Sequence, residues 1–331
     1  MNKINWGVVG TGWMAHDMGK VISDYKGSVY AVAGTSVEKA LNYRKDIPTE
    51  KCYGDYHEML KDENVDCVYI ATPHSNHYQI MKDVLLAGKH VLCEKAITVT
   101  SDQLEECISI ARERNLVICD GTTLLHMPLY KKLKATILEG VIGEIKLVQV
   151  NFGSVKEYTN ASRFFDPNRA GGALLDIGIY AISFARYFLS SQPDTILTTV
   201  QFLDNGVDES SGILLKNRDG EIGVISLTLR AKQPKRGIIT GTKGFIEIQE
   251  FPKADQAALT LISPTDKITA AGETTIISEG RRSDAFLYEI IDTENFINSP
   301  DRGAANLETV RDVMKIITNV KNQWGLKYPF E

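Results

Sequence analysis

Over its first 120 positions the chain alternates short, nearly continuous apolar runs with stretches of helical period. Ile4–Val9, Ser28–Ala33, Val65–Ala71, His90–Cys93 and Leu116–Asp120 read as strands, with a weaker one near Cys52. Helical patterns fill the gaps at about Ala15–Tyr25, Val37–Tyr43, Tyr56–Lys61, His77–Ala87 and Ser101–Arg114. This alternation with short connections predicts a parallel, doubly wound sheet covered by helices on both faces. Right-handed crossovers then place a ligand crevice at the carboxyl ends of the strands.

After Asp120 the pattern changes. A helix around Leu129–Glu139 leads to a strand over Glu144–Phe152, an irregular stretch from Gly153 to Arg169, and a helix from about Gly172 to Leu189. Strands dominate from Thr195 to about Ile277, with turns at Asp204-Asn205-Gly206, Asp219-Gly220 and Lys243-Gly244, and helices return over Asp284–Asn298 and Leu307–Trp324. Hairpin turns of this kind predict a predominantly antiparallel or mixed sheet. A length of 331 residues exceeds what one core usually serves. The expected division is an α/β domain over 1–122 and an α+β domain over 123–331.

Composition narrows the classes without choosing among enzymes. The chain is 43% hydrophobic and 24% charged, with a net charge of −5 and no basic stripe, which argues against a nucleic-acid partner. Lys131, Lys132 and Lys134 read as the solvated face of a helix. No stretch approaches the roughly 20 apolar residues of a membrane span, and no signal-peptide pattern opens the chain. A cytoplasmic protein is expected. The five cysteines and six histidines all precede residue 127, with neither Cys-x-x-Cys nor zinc-ligand spacing, so buried inert thiols and no metal site are expected.

The chemistry begins at the first strand–helix junction. Gly10-Thr11-Gly12-Trp13-Met14-Ala15 follows the Ile4–Val9 strand and opens a helix. Gly10 allows a tight turn, Gly12 lets backbone approach a pyrophosphate, and Ala15 keeps helix against strand, which together make a dinucleotide fingerprint. The helix N-terminus offers N–H groups and partial positive charge to the phosphates. An NAD site usually carries an acid just after the second strand. Here that strand ends Ala33-Gly34-Thr35-Ser36 and the first acid, Glu38, is already helical, whereas Thr35, Ser36 and Lys39 can hold a 2′-phosphate. NADP is therefore expected over NAD.

Three further segments fall at the crevice or in a buried helix. Thr72-Pro73 ends the fourth main strand, with Ser75 or Asn76 as helix cap, while His77 caps, binds cofactor or simply lies on the helix. Cys93-Glu94-Lys95 sets a carboxylate and an ammonium at a strand mouth, either as a surface ion pair or as a group holding a substrate hydroxyl. Gly171-Gly172-Ala173-Leu174-Leu175-Asp176-Ile177-Gly178-Ile179-Tyr180 opens a helix apolar on nearly every face. A carboxylate there is costly unless paired or used. Asp176 and Tyr180, four residues apart, share a helix face, and Gly178 leaves room for a backbone or a ligand.

Gly10-x-Gly12-x-x-Ala15, Ala71-Thr72-Pro73, Glu94-Lys95 and Gly171-Gly172-x-x-x-Asp176-x-Gly178-x-Tyr180 stand in the order and spacing of the glucose–fructose oxidoreductase and inositol dehydrogenase (Gfo/Idh/MocA) family. The whole chain resembles that family. The resemblance implies a Rossmann domain, a second domain whose open sheet often mediates homodimers, a nicotinamide cofactor, and a reaction centre lined by Lys95 and Asp176. Tyr180 replaces the histidine of many relatives, as in members similar to dimeric dihydrodiol dehydrogenase and xylose dehydrogenase. The Ser162-Arg163-Phe164-Phe165-Asp166-Pro167 segment resembles the same subgroup and implies a cofactor contact for Arg163. The family proline after the lysine is Ala96 here. A cis bond without proline costs about 2.5–4 kcal/mol, which leaves open a different turn around Lys95.

The implied activity is hydride transfer between NADP, or NAD, and the C–OH/C=O of a sugar, polyol or cyclic diol. Tyr180 would take the alcohol proton. A free phenol titrates near 10, so Lys95 would favour its phenolate, with Asp176 orienting Lys95 or a substrate hydroxyl. Two other readings share the fingerprint: a nucleotide-bound redox sensor without turnover, and a redox-assisted lyase or glycosidase.

Overall fold

The computed structural model describes residues 4–159, 162–262, 272–300 and 307–331, so 263–271 of the strand-rich region lies outside the described residues. The chain forms two compact units, Met1–Gly121 with Phe286–Arg311, and Thr122–Ala285 with Asp312–Glu331.

The first unit runs β1 (Trp6–Val9), α1 (Trp13–Lys26), β2 (Val29–Ala33), α2 (Val37–Asp46), β3 (Thr49–Tyr53), α3 (Tyr56–Leu60), β4 (Cys67–Ile70), α4 (His74–Leu86), β5 (His90–Cys93), α5 (Ser101–Glu113) and β6 (Ile118–Asp120). Its six strands are all parallel, in the order β3-β2-β1-β4-β5-β6. The order reverses between β1 and β4, which opens a crevice at the carboxyl ends of those two strands. All four residues of β1 and of β4 are buried, as a central parallel strand requires.

The second unit contains α6 (Pro128–Leu138), β7 (Ile145–Gly153), a π-helical turn at Leu174–Gly178 and α7 (Ile179–Phe188). The strands β8 (Thr195–Phe202), β9 (Asp208–Lys216), β10 (Ile222–Thr228), β11 (Arg236–Gly241), β12 (Gly244–Gln249), β13 (Gln256–Leu261) and β14 (Thr274–Ser278) follow. The helices α8 (Ala285–Asn298) and α9 (Leu307–Trp324) complete the chain. With β7, these strands form one sheet in the order β14-β13-β12-β11-β7-β10-β9-β8, parallel only where β10 meets β7. One face carries buried Val148, Val150, Ile225, Leu227, Ile239 and Ile246. On the other, Leu197, Leu214, Val224, Gln149, Ile238, Glu247, Ala258 and Ile276 stand side by side across all eight strands. Leu197 and Ile276 on this row are 60% and 63% exposed.

A linear division at 122/123 misses the return of α8 to the first unit. The physical reason lies in the sheet. Helices that follow β1 and β2 cover one half of a face, and crossovers after β4 and β5 lead to the opposite face. On the α1 side this leaves Tyr69, Leu92 and Cys119 to be covered, and Ile290 and Ile297 of α8 join their cluster. Glu294 fastens the helix. It accepts the Trp6 indole N–H at 3.0 Å and pairs with Lys26 at 2.7 Å. Four of the five free cysteines are buried, and burial pushes the Cys107 thiol up to about 12.

Removing one member of a buried, hydrogen-bonded pair leaves a costly unpaired charge. Glu294→Ala is expected to lower stability by about 3 kcal/mol, read from urea denaturation. A loss below about 0.5 kcal/mol, the ordinary range for a surface change, would contradict this role.

Candidate active site

The crevice of the first unit is built on Gly10. Its φ is +116°, and a Cβ there would sit 2.4 Å from the carbonyl oxygen of Ala71. Only glycine lets the chain leave β1 so close to the end of β4. Its N–H donates to the Ala33 carbonyl at 2.9 Å, tying the turn to β2 as well. Gly12 then caps α1 with no side-chain hydrogen bond, and a Cβ added to it would meet nothing within 4 Å. The helix carries no acid in its first turn. Thr11 and Met14 are half-buried around this opening, Trp13 is 59% exposed and Ala15 is fully buried. An open space above an uncapped helix N-terminus fits a pyrophosphate.

At the end of β2, the Ser36 hydroxyl caps α2 by accepting the Lys39 N–H at 3.3 Å. The Lys39 ammonium donates to the Thr35 hydroxyl at 2.8 Å, so a cation stands over this loop. At the end of β4, Thr72 Oγ1 is buried and has no hydrogen-bond partner among the described residues. A polar ligand in the crevice would satisfy it. The first-unit residues thus suit a dinucleotide phosphate group.

Several expectations change here. Pro73 itself caps α4, which begins at His74, so neither Ser75 nor Asn76 is the cap. His77 is fully buried. Its Nδ1 lies 2.9 Å from the Ala96 carbonyl oxygen and its Nε2 2.8 Å from that of Thr72. The ring is therefore a strut between the loops after β4 and β5 rather than an exposed cofactor ligand. Burial holds its imidazole below the usual range, the two carbonyls oppose this, and the Lys95 charge adds to it. Glu94 is buried rather than part of a surface pair, and accepts the Tyr69 hydroxyl at 2.5 Å. Burial first, then the neighbouring Glu94, pushes the Tyr69 phenol well up. Lys95 is half-buried at the mouth of β5. The Lys95–Ala96 bond is cis although no proline follows.

In the second unit the glycine pair leads into the π turn, not directly into an α-helix. Asp176 lies within the π turn and Tyr180 in the first turn of α7, so their four-residue separation spans the junction between the two. Asp176 is buried and Tyr180 half-buried, its ring 6.3 Å from that of Phe152. Gly178 makes room for neither backbone nor ligand: a Cβ there would meet Leu227 Cδ1 at 2.7 Å. Arg163 lies on a 3-10 turn with its guanidinium 4.4 Å from the centre of the Phe164 ring.

Sequence reasoning missed Asp208. It is fully buried, and its Oδ2 accepts the Leu174 N–H at 2.6 Å, capping the turn that carries Asp176. Gly172, with φ +125°, is needed because a Cβ would meet Asp208 Oδ1 at 2.0 Å. The Tyr328 hydroxyl donates to the Gly171 carbonyl at 3.2 Å on the same pair. The only sequence signal was an aspartate two residues past a hairpin glycine, which reads as part of the turn.

The chain matches the family description "Oxidoreductase family, NAD-binding Rossmann fold" (GFO_IDH_MocA) over residues 4–121, and "GFO/IDH/MocA C-terminal domain" over 130–247. It is similar to the trans-1,2-dihydrobenzene-1,2-diol dehydrogenase of Mus musculus, at 32% identity over 75% of each chain. The Xenopus laevis enzyme of the same name is 32% identical over 81% of this chain and 79% of its own. A mutant 3-ketoreductase from Actinomadura kijaniata, in complex with TDP-benzene and NADP, superposes with a TM-score of 0.82 at 23% identity over 97% of this chain and 98% of its own. Levoglucosan dehydrogenase, in complex with NADH and levoglucosan, gives 0.82 at 20% identity over 99% and 100%. These two likenesses speak for the fold.

Asp208 yields a pH test. Burial raises its carboxyl to about 7, against the pull of the Leu174, Asp208 and Ala173 N–H groups. Unfolded, it titrates near 3.9. Between about pH 4 and pH 7 the unfolded state holds fewer protons than the native one, so this group makes stability fall with rising pH and then level off. Asp208→Asn removes that contribution. Urea midpoints at about pH 5 and about pH 8 are expected to drop more in the parent than in the variant; equal drops would contradict this.

Proposed function

This chain belongs to the GFO/IDH/MocA family of oxidoreductases, and from that premise we propose that it moves a hydride between NADP and the C–OH/C=O of a sugar, polyol or cyclic diol. The observation that carries the proposal is the cradle over Gly12, open to a Cβ and roofed by no side-chain cap, at the reversal of strand order. The division of labour we propose gives cofactor binding to the Rossmann domain, through Gly10, Thr11, Gly12, Trp13, Met14, Thr72 and Pro73. Thr35, Ser36 and Lys39 favour NADP, because a cation and two hydroxyls stand where an NAD site needs an acid. The named relatives act on diols or sugars by their names, which supports the substrate class.

When bound, the nicotinamide supplies the hydride acceptor or donor. The chain's own part is the proton. Tyr180, half-buried beside Phe152, takes the proton of the carbinol in oxidation and returns it in reduction. Lys95 holds a substrate hydroxyl by its ammonium, and Asp176 orients the group it meets. His77 acts through others, its ring standing between the Thr72 and Ala96 carbonyls.

The second domain is proposed to form a homodimer through its open sheet face. On that face Leu197, Leu214, Val224, Ile238, Ala258 and Ile276 are apolar, interrupted by Gln149 and Glu247, and Leu197 and Ile276 on the two edge strands are more than half exposed, which favours covering by a partner. Among the described residues no helix is long and apolar enough to cross a membrane. The five free thiols favour a reducing compartment such as the cytoplasm.

A screen of aldoses, polyols and dihydrodiols, following reduced-cofactor absorbance with NADP and NAD in parallel, tests the reading. Higher kcat/KM with NADP is expected, and equal or better use of NAD would overturn the preference. With the substrate so found, Tyr180→Phe is expected to cut kcat by 10²–10⁴, as loss of a general acid–base group does. Lys95→Met is expected to cost 10²–10³, with NADPH affinity kept. Turnover within a few-fold of the parent in either variant would remove that residue from the chemistry.

A further inference from the structure

Positive charge gathers on the aromatic rings around Tyr180 in the second unit. The Lys235 ammonium lies 5.1 Å from the centre of the Phe152 ring, the ring that packs on Tyr180. The Lys156 ammonium and the Arg163 guanidinium lie 4.3 Å and 4.4 Å from the centre of the Phe164 ring. Phe164 in turn accepts the Gly172 N–H at 2.9 Å through its carbonyl, on the glycine pair that leads to Asp176 and Tyr180. Backbone bonds hold the segments together: Lys156 N–H donates to the Leu229 carbonyl at 2.8 Å, and Gln233 N–H to that of Gly153 at 3.4 Å.

Among the described residues Lys156, Arg230, Lys232 and Lys235 form no ion pair, and two of the carboxylates in this region are engaged elsewhere. Glu250 pairs with Arg282 at 3.6 Å and Asp166 with Arg169 at 3.3 Å. Burial lowers the Lys235 ammonium, Glu250 opposes this, and Lys232, Arg282 and Lys156 lower it further. Solvated lysines lying on aromatic rings would explain any one of these contacts. They do not explain why several cations converge on Phe152, which packs on Tyr180, and on Phe164, whose carbonyl holds Gly172, at a cost in mutual repulsion. An anion placed among them would relieve that cost.

We infer that this cluster is an anion subsite, and that the substrate carries a phosphate or carboxylate some bonds away from the reacting carbinol. The inference rests on the proposed reaction at Tyr180 and adds to it the charge of the molecule transformed.

The test has two arms. In the first, inorganic phosphate is titrated calorimetrically into the full chain with NADPH present, at low ionic strength. Saturable binding is expected, weakened about tenfold or more in Lys156→Gln/Lys235→Gln, as loss of charge-assisted hydrogen bonds implies. Absence of saturable binding, or equal binding in the variant, overturns the subsite. In the second arm, kcat/KM is compared for glucose, glucose 6-phosphate and glucuronate. At least one anionic member is expected to exceed glucose about tenfold, with the excess shrinking in the variant and in about 0.5 M NaCl, where surface charge is screened. Glucose used as well as both anions overturns the inference while the oxidoreductase reading stands. Phosphate binding without turnover of any sugar or diol supports the subsite and sinks that reading instead.

Discussion

The first unit depends on one close approach of backbone to backbone. Where β1 ends, the chain must turn beneath the carbonyl of Ala71 and above the end of β2, and a side chain at position 10 would occupy the space of that carbonyl. With glycine there, β1 sits between β2 and β4, α1 starts at once, and its N-terminus faces the crevice where the strand order reverses. The two roles assigned to glycines 10 and 12 are therefore different. Gly10 serves the fold, whereas Gly12 leaves space that the fold itself does not use.

A comparable constraint organises the second unit. Asp208 is buried without a cation among the described residues and is held by N–H groups at the start of the π turn. Its carboxylate and a side chain at position 172 cannot coexist. The glycine pair, the buried acid and the Tyr328 hydroxyl make one small assembly that fixes where the segment with Asp176 and Tyr180 begins. Nearby lies the contrast with the open face of the sheet, where alternation leaves large aliphatic groups in water.

Much of this was legible in the sequence because it follows from local pattern. Strand–turn–helix units, the fingerprint, and the break after Asp120 all depend on residues within a few positions of one another. What was not legible depends on partners distant along the chain. Glu294 reads as an ordinary helix acid until it meets Trp6 and Lys26. His77 reads as a crevice residue until its ring is found between two carbonyls from different loops. Gly178 looks like room for a ligand until Leu227 fills the space, and the π turn at Leu174–Gly178 reads from sequence as the start of a regular helix.

The central claim is that the space over Gly12 receives a dinucleotide pyrophosphate. It can be tested without knowing the substrate. Gly12 has an ordinary negative φ and no neighbour for an added Cβ, so Gly12→Val should melt as the parent does. NADPH titration, followed by tryptophan fluorescence with Trp13 beside the site, is predicted to show saturable binding in the parent and at least about tenfold weaker binding in the variant, about 1.4 kcal/mol. Equal affinity in the two folded proteins would contradict the account.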